Sequence, residues 1–103
     1  MTHEATVKAP AKLDADSRAA FRDEVMTALD RVAGLQPARL IIDLAATQRV
    51  DSAGLGVLVM LQLRAAERRV PVRLVNLTEE VRFLLLMTRL EDRFEIEPRS
   101  GQE

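Results

Sequence analysis

The sequence predicts an α/β domain, with four to five short strands in a mixed, largely parallel sheet and three or four helices packed on it. Three observations carry this. Short apolar runs rich in β-branched residues alternate with longer amphipathic segments, in the order strand, helix, strand, helix, strand, helix, strand. Such alternation implies neighbouring parallel strands joined by right-handed helical crossovers. The length of 103 residues is that of one domain, taken here as 1–103 with 1–5 and 98–103 expected to be flexible. The 48% hydrophobic content rests mostly on Leu, Ala and Val, with three Phe as the whole aromatic complement. A core of this kind is aliphatic, and its extent argues against disorder.

The elements follow in order. Thr6–Ala9 reads as a short strand stopped by Pro10. Asp14 and Asp16 offer N-caps to a helix over Ser17–Ala33, where Phe21, Val25, Ala28, Leu29 and Val32 recur on one side. Gly34 falls where a left-handed residue ends a helix, and Pro37 prevents continuation. Arg39–Leu44 is a short apolar run rich in β-branched residues, bounded by turn chemistry, and predicts a central strand buried on both faces. A second helix is expected from about Gly54 to Arg69, and Pro71–Asn76 alternates as a strand. Thr78 caps a third helix reaching about Arg89, with Glu79 and Glu80 in its first turn. Arg93–Glu97 is a last short strand, and Arg99–Glu103 a polar tail.

Composition excludes several chemistries. Without Cys there is no disulfide, thiol nucleophile or Cys-based zinc site. The single His3 lies near the N-terminus, so neither a His-based metal site nor a Ser-His-Asp triad has its parts, and a serine hydrolase lacks its base. Fifteen Lys and Arg against sixteen Asp and Glu leave no basic field for nucleic acid, and without Trp or Tyr the usual stacking platforms are missing. No apolar run is long enough to insert in a membrane, and the N-terminus has no signal-peptide core. The expectation is a cytoplasmic, non-enzymatic domain without cofactor or metal, monomeric when free.

One segment carries information beyond fold. Over Leu40–Leu63 a buried strand ends, a short loop follows, and Asp51-Ser52 stands at the mouth of a helix opened by Gly54 and Gly56. A hydroxyl there sits beside free backbone N–H groups and the positive end of the helix dipole. A phosphate on Ser52 is tolerated at such a position without melting the helix. On spacing alone, Asp-Ser before a helix is ordinary capping chemistry, and Gly54-x-Gly56 is only a fragment of a dinucleotide fingerprint. The helix that follows shifts the balance. Its first two turns are apolar nearly all round, which predicts an exposed patch of Gly56, Val57 and Met60 beside the hydroxyl, suited to protein docking. Arg64, Arg68, Arg69 and Arg73, with Glu67 interleaved, read as a solvated face. Leu84-Leu85-Leu86-Met87 is broad enough to serve more than one side of the third helix.

The run from Leu44 through Asp51-Ser52-Ala53-Gly54-Leu55-Gly56 resembles the signature of the STAS domain, as in bacterial anti-sigma factor antagonists. The likeness takes in Leu13-Asp14, the strand PVRLVN, the segment Val81–Leu90 and Phe94-Glu95-Ile96. It implies a phosphorylation switch. Such domains bind an anti-sigma factor that is also a serine kinase with its own ATP, and so free a sigma factor; a phosphatase reverses the modification. By this resemblance Ser52 is the phosphoacceptor, with Asp51 and Gly54 at the flanking motif positions and Asp14 as the acidic residue of the loop before the first helix. The implied partner-binding set is Asp14, Asp51, Ala53, Gly54, Leu55, Gly56, Val57 and Met60. Two departures stand out: Ala53 replaces a second hydroxyl residue, and both ends look short, with a first strand reduced to a few residues around Glu4 and no terminal helix. The family also implies an alternative, a subunit of a membrane-lipid ABC transporter docked on its ATPase without phosphorylation.

Overall fold

The first strand is longer than its sequence suggests. In the computed structural model, which describes residues 1–97, β1 (His3–Lys8) pairs in parallel with β3 (Ala38–Asp43) over six residues, from His3 opposite Ala38 to Lys8 opposite Asp43. Neither a strand at Thr6–Ala9 nor a remnant around Glu4 describes it, and His3–Ala5, expected to be flexible, form its first half. Small and polar residues carry little strand propensity of their own, so pairing with β3 decides the conformation. The polar tail and the expected loss of a terminal helix lie outside the described residues.

The sheet order is β1-β3-β5-β6, with β5 at Val72–Val75 and β6 at Glu95–Ile96, and every pairing among the described residues is parallel. The last strand is shorter than the expected Arg93–Glu97 because a 3-10 turn takes Glu91–Arg93.

The expectation that β3 is buried on both faces is corrected. Side chains alternate between the faces of a strand. Ala5, Leu40 and Val72 stand in line across the sheet and are buried, as do Val7, Ile42 and Leu74. The opposite face carries Glu4 beside Arg39, Thr6 beside Ile41 and Lys8 beside Asp43. Arg39 donates to Glu4 and to Glu95 at 2.9 Å each, spanning this open face. Ile41 makes the run look continuously apolar, but it is only half-buried.

Helix α1 (Arg18–Val32) packs on β1 and β3 and also meets α2 (Ser52–Glu67). Its buried residues are the five that periodicity predicts: Phe21, Val25, Ala28, Leu29 and Val32. Gly34 follows with φ +91°, in the left-handed region where a residue without Cβ is favoured. The other two long helices end without glycine. Arg69 after α2 and Arg89 after α3 (Glu79–Met87) adopt φ 61° and 58°. Each is followed by a residue whose N–H returns to a last-turn carbonyl, Val70 to Ala65 and Leu90 to Leu85. This hydrogen-bond pattern closes the C-terminus of a helix and fixes the entry to the next segment. Thr78 caps α3, its hydroxyl accepting from the Val81 N–H at 3.2 Å.

Candidate functional site

The loop that presents Asp51 and Ser52 is held by a second chain segment running alongside it. Two strands too short to show in the sequence, β2 (Lys12–Leu13) and β4 (Arg49–Val50), pair in parallel and form the centre of this junction. The stitching begins at Ala9, whose N–H donates to the Asp43 carbonyl at 2.9 Å, and continues through Gln48 and Arg49, which donate to Ala11. Thr47 is fully buried, and its hydroxyl donates to the Pro10 carbonyl at 2.8 Å. At the end of the run the Asp51 N–H donates to Leu13 at 3.2 Å. Backbone polar groups that would otherwise be left dry are satisfied pairwise, so the loop is pinned along its length.

Asp51 is the N-cap of α2. Its Oδ1 accepts from the Gly54 N–H at 2.9 Å, and its backbone carbonyl accepts from Leu55 at 2.9 Å. The helix therefore starts at Ser52, two residues before the expected Gly54, and Ser52 itself is exposed on the first turn. Gly54 is buried against the neighbouring segment: a Cβ there would lie 2.1 Å from the Leu13 carbonyl oxygen. Gly56 differs, since a Cβ at that position meets nothing within 4 Å. The first glycine of the pair is a close-approach residue, whereas the second leaves the surface low.

Asp14 follows Leu13 directly, so the Leu13 to Asp51 hydrogen bond brings the two acidic loops side by side. The Asp14 carboxylate accepts from the Asp16 and Ser17 N–H groups at 3.0 and 3.1 Å. Ser17 is the residue that caps α1 by position, rather than Asp14 or Asp16. Its hydroxyl accepts from the Asp14 N–H and donates to the Lys12 carbonyl at 2.6 Å. Asp14 thus shapes the loop that receives Asp51.

The expected exposed patch is half right. Gly56 is open and Met60 half-buried, but Val57 is 7% exposed and belongs to the core. The buried side of α2 runs through Gly54, Val57, Leu58, Leu61 and Ala65, and Val57 falls on it because α1 packs against α2. Leu55 and Met60 lean on the core as half-buried residues. Beside them lies an open depression of about 440 Å³, lined by Ser52, Ala53, Gly56, Val57 and Met60 of α2 and by Arg18, Ala19 and Arg22 of α1.

A second depression of about 420 Å³ adjoins Asp51 from the other side, between Gln48–Asp51 and the Glu80, Val81, Phe83, Leu84 and Met87 side of α3. Phe83 and Met87 are 61% and 64% exposed. The expected partner-binding set covers α2 and the loops before α1 and α2 but names no α3 residue; the breadth of the Leu84–Met87 run, enough to serve more than one side of the helix, is the signal of this surface. Arg64, Arg68 and Arg69 are exposed, with Arg64 paired to Glu67 and Arg68 to Asp30 of α1, whereas Arg73 is half-buried on β5 and is no part of that face. Among the described residues no group of three or more His, Cys, Asp or Glu is arranged to hold a metal ion, and no helix is long and apolar enough to cross a membrane.

The parallel sheet flanked by helices, with Ser52 exposed on the first turn of α2 behind the Asp51 cap, defines the class of small α/β domain to which the chain belongs. The sequence matches the STAS domain over residues 2–102, and the chain belongs to that family. It is 32% identical over 93 residues to a STAS-domain containing protein of Pseudomonas aeruginosa, covering 90% of this chain and 87% of the relative. Two solved structures share the fold. One, a protein of Thermotoga maritima assigned as an anti-sigma factor antagonist, superposes with a TM-score of 0.71 at 24% identity, covering 93% of this chain and 81% of the other. An anti-sigma-factor antagonist (STAS) domain protein of Planctomyces limnophilus superposes with a TM-score of 0.75 at 16% identity, covering 95% and 92%.

Proposed function

We propose that this domain is a phosphorylation-switched anti-sigma factor antagonist. Unmodified, it docks a kinase-type anti-sigma factor in the cytoplasm through Ser52, the flanking residues Asp51, Ala53 and Gly56, and Met60, while buried Gly54 sets the close approach that presents them, and so releases a sigma factor. The observation that carries this reading is the placement of Ser52: an exposed hydroxyl on the first turn of α2, in a loop pinned along its length, at the rim of an open depression. The hydroxyl takes no part in the cap, which Asp51 makes, so modifying it leaves the helix start intact. The two fold neighbours, both assigned as anti-sigma factor antagonists, support the same role.

In the modification the Ser52 Oγ forms a bond to the terminal phosphorus of the partner's ATP. The bond from that phosphorus to the ADP oxygen breaks, and the hydroxyl proton passes to solvent or to a base on the partner. The product carries about −1.5 to −2 charges at neutral pH. Burying that charge against a surface without matched donors costs more than the contact returns, so the complex separates. A phosphatase then restores the hydroxyl.

The direct test is incubation of the purified domain with its anti-sigma-type ATPase and ATP, followed by intact-mass measurement. One added phosphoryl group on the wild type and none on Ser52→Ala is the expected result. A wild type that stays unmodified while it binds the ATPase removes the switch and leaves a constitutive docking subunit.

A further inference from the structure

The depression beside Ser52 has a second wall, and that wall is basic. Arg18 and Arg22 stand one turn apart on α1 and line the same open space as Ser52, Ala53 and Gly56 of α2. Next to the hydroxyl its α2 side is Ala53 and Gly56, with Val57 and Met60 further along, and the open space above Gly56 leaves room for a group larger than a hydroxyl. Neither cation is tied to a distant carboxylate. Arg18 makes no ion pair among the described residues, and Arg22 pairs only with its neighbour Asp23, at 3.4 Å between side chains 49% and 75% exposed. An exposed pair of that kind holds its partners weakly. Arg39 and Arg68, by contrast, each pair closely with a carboxylate distant in sequence.

We propose that Arg18 and Arg22 are an intramolecular receiving site for the phosphoryl group on Ser52. The inference rests on the reading of Ser52 as a phosphoacceptor. A phosphate on Ser52 stands next to the Asp51 carboxylate, which is engaged with Gly54, and this like charge repels it. Across the depression the two guanidinium groups supply the opposite charge and several N–H donors, a match for phosphate oxygens in charge and geometry. The phosphate turns away from Asp51, over Ala53 and Gly56, and ties α2 to the first turns of α1. Phosphorylation on this account fills the depression that the unmodified domain offers a partner, and removes the free positive charge of its α1 wall. No covalent step is involved beyond the modification itself.

The test uses phosphoserine installed at position 52 during synthesis, so that no kinase is needed, in the otherwise wild-type chain and in R18Q/R22Q. The second ionisation of the phosphate is followed by ³¹P NMR at low ionic strength. The expected result is a wild-type value below the roughly 6 of an unpaired phosphoserine, rising by about half a unit or more in the double variant. Arg31→Gln, on the same helix but away from the depression, leaves the value unchanged. R18K/R22K, which keeps the charge but loses the planar fork, falls between. Superimposable titrations of the wild type and R18Q/R22Q overturn the receiving site and leave the switching role of Ser52 standing. Failure of the ATPase to modify Ser52 overturns that role, and the titration is independent of it.

Discussion

The carbonyl oxygen of Leu13 occupies the space that a side chain on Gly54 would need, 2.1 Å from where its Cβ would lie. The same oxygen accepts the Asp51 N–H at 3.2 Å. One backbone atom therefore sets both how closely α2 approaches the loop before α1 and where the cap residue sits. Gly54→Ala forces these segments apart, at a cost of about 1–3 kcal/mol, as for other overpacked sites. Gly56→Ala meets no obstruction and gains about 0.5–1 kcal/mol from the lower entropy cost of alanine in a helix. Urea unfolding of the two variants measures these opposite signs.

Asp51 starts α2 through its bond to the Gly54 N–H. Asp51→Ala removes an N-cap and is expected to lower stability by about 1 kcal/mol, while Asp51→Asn keeps an accepting oxygen and loses much less. Denaturant midpoints of the two variants against wild type check this. The Ser52 hydroxyl stays exposed in both.

At the far end of β3, Asp43 accepts from the Ala45 N–H at 2.9 Å and from the Asn76 side-chain amide at 3.0 Å. The Asn76 hydrogen bond first, and the Ala45 N–H second, hold its carboxyl below the usual carboxylate range. A lowered folded-state pKa contributes stability that is fully present above the unfolded value and is lost as pH falls through the folded one. The stability difference between wild type and Asp43→Asn should therefore be constant down to about pH 5 and shrink below about pH 4, near the ordinary carboxylate value. Thermal unfolding of both proteins from neutral pH to pH 3 measures the trend.

Arg69 closes α2 in the left-handed region at φ 61°, and its N–H bonds to Ala66. A side chain there costs about 1–2 kcal/mol that glycine avoids. Part of this gain is offset by the greater freedom of glycine in the unfolded chain. Arg69→Gly should raise stability by about 0.5–1 kcal/mol. The exposed side chain lies at the opposite end of α2 from Ser52, so partner binding should not change, and calorimetry with a binding isotherm reads both quantities.

The helices were legible because their signals are local. The five buried positions of α1, the Thr78 cap, the Asp51 cap and Gly34 each declare themselves within one or two turns. What was hidden depends on pairing between distant segments. His3–Ala5 become a strand only through Ala38–Leu40, and the two-residue strands at Lys12 and Arg49 exist only through each other. Ile41 made β3 look buried on both sides because composition does not show which face the helices cover. At the site, the place of Asp51, Ser52 and Gly54 at the mouth of α2 was legible from their order, whereas the roles expected of them came from the family resemblance. Val57 was misplaced because the side of α2 that α1 covers is a tertiary fact, and Arg18 and Arg22 went unnoticed for the same reason.

The central claim is that one phosphate on Ser52 decides whether the domain holds its partner. The most direct measurement is isothermal titration of the anti-sigma-type ATPase with the unmodified domain and with the domain carrying phosphoserine at position 52. The account predicts at least a tenfold weaker complex for the phosphorylated form, a difference of about 1.4 kcal/mol or more. Equal affinity of the two forms would contradict it.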